Sequence, residues 1–478
     1  MTGSSILLLA FAVMAEGITD YRVAVVGAGP AAFYTAEALF KTGPAGVKVD
    51  LFDRLPVPFG LVRGGVAPDH QKIKSVTRVY DKIAANDGFR FFGNVQLGRD
   101  VSVEDLNARY HHVVYAFGCE SDNKLGLDGE DLGGVYAATD FVGWYNGHPD
   151  HRHHEFDLAN ATRVALVGNG NVAMDVARVL LADPEVLAKT DIADHSLETL
   201  RNSKVEEVIL LGRRGPAQAA FSPKEIAEIH EIDGVDVVVL RKDAELDALS
   251  AKWLEEDAAR SQQRNVKFLQ ERAEAGEGDD GSKKLRCRFL VAPTALHGEG
   301  GKLTAVTVDH MQLQADDTGT PRPKPTGTDE RLDVDLLFKA IGYRGEPVPG
   351  VPFEERKGIV PNVDGRVVEQ VDGDVRVGHY CAGWCKRGPT GLIGTNSLDA
   401  KDTVQAMLED HARGVAQTPS EGDVTALLSE RAVDAVTWED WQRLDEWERQ
   451  QGEQRGKLRH KLASVEELMN VVVELRAK

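Results

Sequence analysis

The stretch VAVVGAGPAA, residues 23–32, reads as a buried strand that turns through glycines into a helix. Val23, Val25 and Val26 are β-branched, as a strand covered on both faces requires. Gly27 permits the tight turn, and Gly29 lets a pyrophosphate approach the backbone at a helix N-terminus. Ala31 lies in the first helical turn, and Ala32 is small enough for the helix to pack closely on the strand. Working outward, TGPAG (42–46) is a turn, and VKVDLFD (47–53) is a second strand ending in Asp53, 26 residues after Gly27. An acid at that distance accepts hydrogen bonds from ribose hydroxyls. Strand, glycines, helix, turn, strand and terminal acid in this order specify a βαβ dinucleotide fold.

The pattern recurs in RVALVGNGNVAMDVA, residues 163–177. Gly168, Gly170 and Ala173 take the three small-residue roles, and Asn169, Gly170, Asn171 and Val172 form the turn into the helix. An acidic, helical insert over 183–204 delays the next strand, VEEVILLGRRGP (205–216). At its end, where the first site has Asp53, stand Arg213 and Arg214. A carboxylate there repels a ribose 2′-phosphate, whereas guanidinium groups bind it bidentately. The second site therefore favours NADP(H) and the first a nucleotide with a free ribose, read as FAD from its place near the N-terminus. VVYAFG (113–118) and LLFKAIGYR (336–344) are apolar strands running into glycine, as crossovers between two such domains do. The expected fold class is α/β with two Rossmann-like dinucleotide-binding domains. The NADPH domain (122–342) is inserted into a discontinuous FAD domain (21–121 and 343–478).

Composition narrows the partners. With 56 basic and 76 acidic residues the formal charge is −20, which disfavours nucleic acid and anionic membrane surfaces. Cys119, Cys287, Cys381 and Cys385 lack the spacing of a redox pair or of a metal–sulfur site, so buried thiols in a reducing, cytoplasmic setting are expected. The missing C-x-x-C and C-x4-C pairs argue against a thiol–disulfide reductase. Cysteine-rich motifs of a glutamate synthase small subunit or a fused ferredoxin are absent too. The apolar run SILLLAFAVMA (5–15) is too short to span a bilayer and no basic residue precedes it. Residues 1–20 are read as an upstream extension, with Met14 a reasonable start, and no integral membrane segment is expected.

Four longer segments carry a family resemblance: PVPFGLVRGGVAPDHQKIK (56–74), DFVGWYNGHP (140–149), GRRGPAQAAFSPKEI (212–226) and AGWCKRGPTGLIGTNSLDAKDT (382–403). Through them the chain resembles the adrenodoxin reductase-type ferredoxin–NADP⁺ reductases from about residue 21 nearly to its end. The resemblance implies hydride transfer from NADPH to FAD, followed by single-electron transfer to a ferredoxin-type iron–sulfur protein that feeds enzymes such as a cytochrome P450. It places Gly27, Ala31 and Asp53 on FAD phosphate and ribose, with Asp53 standing where the family usually has Glu. Leu61 and Val95 pack on the cofactor. Trp384, Gly391, Leu392 and Ile393 contact the isoalloxazine, before a helix whose N-terminus favours negative charge. Asn169 to Val172, Arg213, Arg214 and Glu225 meet NADPH. His70 and Glu228 lie near the nicotinamide, where they assist protonation or, the favoured reading, hold hydride-transfer geometry.

A ferredoxin is acidic, so docking needs a local positive surface. Lys72, Lys74, Arg78 and Lys82 fall within about three helical turns after His70, and Lys386 and Arg387 closely follow Trp384. HRHH (151–154) lacks an i,i+4 pair and is read as an exposed linker, with no metal expected. PRPKPTGTDER (321–331) is read as a loop. Trp438, Trp441 and Trp447 are expected to pack on the FAD domain.

Overall fold

The computed structural model describes residues 20–256, 258–278 and 282–478. The extension expected over residues 1–20, with its apolar run, lies outside these, apart from Asp20. The chain first builds β1 (Arg22–Val26), α1 (Pro30–Thr42), β2 (Lys48–Phe52), the short helices α2 (Leu61–Gly64) and α3 (Gln71–Lys74), α4 (Thr77–Ala84), β3 (Phe89–Phe92) and β4 (His112–Tyr115). It leaves through β5 (Ser121–Asp122) into β6 (Val135–Ala137), α5 (Ala138–Tyr145), β7 (Arg163–Val167), α6 (Asn171–Leu181), β8 (Glu207–Gly212), α7 (Pro223–His230) and β9 (Val235–Val239). After β10 (Lys283–Phe289) come three long strands: β11 (Val291–Glu299), β12 (Lys302–Ala315) and β13 (Pro321–Asp333). The chain returns through β14 (Leu336–Lys339) and β15 (Tyr343–Arg344) to β16 (Asn362–Val363), β17 (Arg366–Val368) and β18 (Val375–Cys381). It finishes with helices α8 (Thr395–Ala412), α9 (Trp438–Gln454) and α10 (Val465–Arg476).

Two parallel sheets result. The first, in the order β16-β17-β18-β4-β1-β2-β3, is parallel from β18 to β3 and takes strands from both ends of the chain. The second, β6-β14-β7-β8-β10-β9, is parallel throughout. This is the inserted α/β architecture. The passages between the sheets meet as a ribbon, β5 running antiparallel to β15 with Tyr343 opposite Asp122.

The tryptophans of α9 pack as expected. Trp438 sets its edge against Phe33, Phe59, Phe89 and Phe91, and Trp441 lies against Phe59 with the Arg63 guanidinium 5.4 Å above its ring. Two expectations fail. Residues 321–331 form most of strand β13, paired with β12 at the edge of a three-stranded antiparallel sheet. Pro321, Pro323 and Pro325 occupy every second position, so their missing N–H groups all fall on one side of the strand, which an edge tolerates and a central strand does not. The basic stretch after His70 is not one helix either, since the chain breaks between α3 and α4 at Ser75 and Val76.

Among the described residues no helix is long and apolar enough to cross a membrane. All four cysteines are buried free thiols, and burial pushes Cys119, Cys287 and Cys385 up to about 12.

The C-terminal segment is tied down through Glu448, which is fully buried on α9. It accepts from Arg63 of α2 at 2.6 and 2.8 Å and from Arg459 at 2.8 Å. Burial alone would push this carboxyl up, but the two guanidinium groups outweigh it and hold it at about 2. Because the folded value is depressed, the stabilisation is present above the ordinary carboxyl value of about 4.3 and is lost as pH falls toward 2. Glu448→Ala should lower stability by about 3–5 kcal/mol by leaving Arg63 without an ion-pair partner, Arg459 keeping Asp445 at 2.6 Å. It should also flatten the fall in stability between pH 4.5 and 2, both read by chemical denaturation across pH.

Candidate functional site

Each parallel sheet ends in the same backbone device. Gly27 has φ +112°, its N–H donates to Phe52 O at 2.7 Å, and a Cβ there would lie 2.5 Å from Ala116 O. Gly168 has φ +123°, its N–H donates to Leu211 O at 3.0 Å, and a Cβ would lie 2.2 Å from Ala340 O. The helices that follow have no side-chain cap and no acidic residue in the first turn, a ready site for phosphate, with the N–H groups of α1 starting at Ala31 after Pro30. Gly29 caps α1 facing Gly60, whose own Cβ would come 3.1 Å from Gly29 Cα. Gly170 caps α6 with nothing within 4 Å. Both loops thus offer bare backbone at a helix N-terminus, which fits a pyrophosphate.

The strand ends then differ. Asp53 follows β2, and its carboxylate accepts from Ala28 N and Leu55 N at 2.9 Å each. Burial pushes it up to about 6, against these bonds and the charge of Arg54. The acid therefore braces the glycine loop itself. In the second sheet Val167 pairs with Leu211 as Val26 pairs with Phe52, so the residue matching Asp53 is Gly212. Arg213 and Arg214 stand one and two residues further out. Neither guanidinium has an ion-pair partner among the described residues, and burial with the charges of Arg213 and Arg322 lowers Arg214. Two adjacent unneutralised cations suit a dianion.

Around the first loop, Leu61 is half-buried at the start of α2. Val95 is buried in the core with Val26, Phe52 and Phe92, and its N–H donates to Asp53 O. At 1% exposed it offers a cofactor almost no surface, against the expectation of side-chain packing. From the far end of the chain, Gly383 approaches α1 so closely that a Cβ would strike Ala31 Cβ at 2.5 Å. Trp384 lies 5.3 Å from Tyr343, ring to ring. Gly391 (φ +81°) and Leu392, 72% exposed, precede the half-buried Ile393. The helix expected here begins at Thr395 with Gly394 as its cap.

Where the sheets meet, His70 is buried between carboxylates. Its Nε2 is 3.1 Å from Glu228 and 3.8 Å from Glu225, both on α7. Its Nδ1 is 3.4 Å from Arg178 Nη2 and 3.6 Å from Asp175, both on α6. The 3.1 Å contact is a hydrogen bond in which Nε2–H donates, since the Glu228 carboxylate can only accept. Burial raises Glu228, but bonds from Lys224 and His70 bring it below its usual range. Glu225 accepts from Arg178 at 2.9 Å, which places it in this junction and away from the Arg213–Arg214 strand end.

Asp69, Asp175 and Arg178 were not singled out from sequence, yet Arg178 links them all, binding Asp69 and Asp175 at 2.5 Å. The available signal was an i,i+3 Asp–Arg pair inside the apolar helix VAMDVARVLL.

Of the expected docking cations, Lys72, Arg78 and Lys82 are exposed. Lys74 is buried, 2.8 Å from Asp191, and cannot meet a partner. Lys386 and Arg387 each pair with Asp399 at 2.9 Å, so their charge is answered within the chain. HRHH is not exposed throughout: Arg152 and His153 are, while His151 and His154 lean half-buried on Asp140 of α5.

Fold and paired loops define a two-dinucleotide flavoprotein oxidoreductase. The model of the pyridine nucleotide-disulphide oxidoreductases matches residues 21–258. NADPH-ferredoxin reductase FprA of Mycobacterium tuberculosis is 44% identical over 465 residues, covering 94% of this chain and 99% of that protein. Mitochondrial NADPH:adrenodoxin oxidoreductase of Arabidopsis thaliana is 41% identical, covering 94% of each. The structure of M. tuberculosis FprA in complex with NADPH superposes with a TM-score of 0.89 at 41% identity, over 95% of this chain and 100% of that one. The chain belongs to the adrenodoxin reductase-type NADPH–ferredoxin reductase family, whose cofactors are FAD and NADPH.

The two loop glycines of the second site should separate on substitution. Gly168→Ala strains a positive φ and strikes Ala340 O, so the melting temperature should fall, by about 2–4 °C for each kcal/mol if a domain the size of the inserted one melts as a unit. Gly170→Ala, at φ −98° and in open space, should leave the melting temperature unchanged. It should still weaken dinucleotide binding at this loop at least tenfold in equilibrium titration, because the backbone approach is lost.

Proposed function

We propose that this chain is an NADPH:ferredoxin oxidoreductase that draws electrons from NADPH at the α6 loop and delivers them to a separate ferredoxin-type iron–sulfur protein. Bound FAD supplies the conversion chemistry, accepting a hydride and releasing electrons one at a time. The observation that carries the reading is the contrast between strand ends. A carboxylate braces the first glycine loop, while two unneutralised arginines stand beyond the second.

In this reading Gly27, Gly29 and Ala31 hold FAD phosphate on the N-terminus of α1, with Asp53 ordering the loop toward the ribose. Leu61, Trp384 and the 391–393 segment form the bed of the ring system, and exposed Leu392 offers it an apolar surface. Asn169 to Val172 receive the NADPH pyrophosphate, and Arg213 and Arg214 take the 2′-phosphate. His70, held by Arg178 and Glu228 across the junction, orients the nicotinamide end; Glu225 acts through Arg178. Four buried thiols fit a reducing, cytoplasmic setting, and the iron–sulfur cluster is assigned to the partner. Lys72, Arg78 and Lys82 are the free cations on α3 and α4 and form the docking surface.

Anaerobic stopped-flow tests the first half. NADPH should bleach the flavin quickly and NADH slowly. Arg213→Ala with Arg214→Ala should erase most of that preference, each lost charged hydrogen bond costing about 1.5–3 kcal/mol. An unchanged preference would refute the phosphate assignment.

The second half is read with ferredoxin at varied salt. Reversing Lys72, Arg78 and Lys82 to Glu should cut the on-rate for ferredoxin at least tenfold at low ionic strength and flatten its salt dependence. NADPH-dependent dye reduction should stay unchanged. Equal loss of both activities would point to damage at the flavin instead.

A further inference from the structure

The strap from His148 to His154 takes no part in either glycine loop. It leaves α5 and makes a single 3₁₀ turn at Pro149–His151, with His151 N donating to His148 O at 3.0 Å and His154 N to His151 O at 3.2 Å. In 3₁₀ geometry residues three apart eclipse. His154 lies past the turn but keeps the three-residue bond, and its ring stacks on that of His151, 5.6 Å between centroids and 20° between planes. Both lean on Asp140 in the first turn of α5. Gly143, one turn further along that helix, makes the approach possible: a Cβ there would lie 2.2 Å from His151 Cδ2.

The distances discriminate between a hydrogen-bonded cluster and a ligand set. His151 Nδ1 and His154 Nε2 lie 3.4 and 3.5 Å from the same Asp140 oxygen, Oδ1. Hydrogen bonds of this type extend to about 3.2 Å, and the buried Nδ1 of His151 has no hydrogen-bond partner. Around a tetrahedral cation with ligand bonds of 2.0–2.1 Å, neighbouring donors stand about 3.3 Å apart. All three donor atoms lie within 4.8 Å of one another, and the side chains are 19–27% exposed, so an ion can enter from solvent.

We propose that Asp140, His151 and His154 form a binding site for a zinc-type divalent cation, with water completing the coordination. Two imidazole nitrogens and one carboxylate oxygen suit Zn²⁺, Ni²⁺ or Cu²⁺ and disfavour Mg²⁺ and Ca²⁺, which take oxygen donors. The ion pins the strap to α5. The same strap touches the first domain twice: Asp150 pairs with Arg54 at 2.5 Å, beside Asp53, and the His148 ring packs where Gly64 lacks a Cβ. An ion on one side of the strap therefore steadies a contact between the two domains, a structural role apart from hydride transfer.

The flavin-loaded full chain, stripped with chelator, is titrated with Zn²⁺ by calorimetry, and its melting temperature is followed against Zn²⁺ concentration. One ion per chain should bind, and the melting temperature should rise as the ion is added. His151→Gln and His154→Gln should each weaken binding at least tenfold and remove the rise, while His153→Gln, one residue away and exposed, should retain both. Flavin content and NADPH-dependent dye reduction, equal in all variants, establish that they are folded. With Cu²⁺ as the probe, the electron paramagnetic resonance spectrum should show coupling to two nitrogens, falling to one in either variant. Absence of saturable binding would overturn the proposal. So would binding unchanged in both variants, which would place the ion elsewhere, for example at the His70–Glu225–Glu228 group.

Discussion

Twice in this molecule a backbone carbonyl presses on an α-carbon that has no room for a side chain. Ala116 O meets Gly27 and Ala340 O meets Gly168. In each case the same alanine returns an N–H to the strand before the glycine, Ala116 to Val26 O at 2.7 Å and Ala340 to Val167 O at 2.8 Å. The carbonyls belong to the residues that directly follow the crossover strands β4 and β14, just before the chain passes between domains. A nucleotide loop and a crossover are thus locked together by backbone alone, once in each domain. The passages then pair as the β5–β15 ribbon. The path between the loops runs through main-chain contacts, which surface substitutions cannot easily alter.

Charged groups do the rest of the work at the junction. Lys74 of α3 meets Asp191 of the inserted domain, which also takes Lys461 from the C-terminal segment at 3.0 Å. Arg63 and Arg459 converge on Glu448, and Asp69 reaches Arg178. Each cluster joins parts of the chain far apart in sequence. Buried ion pairs add little net stability because desolvation opposes them, but an unpaired member is strongly unfavourable. Such contacts hold only when all members are in place, so those that cross between the domains, at Asp191 and Arg178, select one relative placement over nearby ones. His70 sits inside one of these clusters, and its ring orientation follows from that placement.

The glycine loops and both βαβ units were legible because steric demands at a phosphate-binding turn leave few residue choices. The inserted topology was legible from two apolar strands flanking the second loop. What escaped depended on contacts between distant segments. Nothing local to Lys74 announces that Asp191 will bury it, and Asp399 lies twelve or more residues from the two cations it neutralises. The arginines at the second strand end were recognised, but their register was one residue short, since Gly212 takes the position of Asp53. HRHH lacks α-helical spacing for a pair, but a backbone bond from His154 N to His151 O brings residues three apart together. Residues 321–331 read as a loop in sequence, yet their prolines, which exclude a central strand, permit an edge.

That proline-bearing edge has a consequence for the molecule in a crowded solution. β13 is thirteen residues long, mostly exposed and paired on one side only. An open edge of this length would ordinarily present a row of amide donors to any extended segment that came near. With nitrogen atoms at 321, 323 and 325 carrying no hydrogen, a stretch of the row is silent. A foreign strand laid along it would find carbonyls to bond and too few amides to answer its own. The sheet can stand out from the body of the enzyme and remain three strands wide.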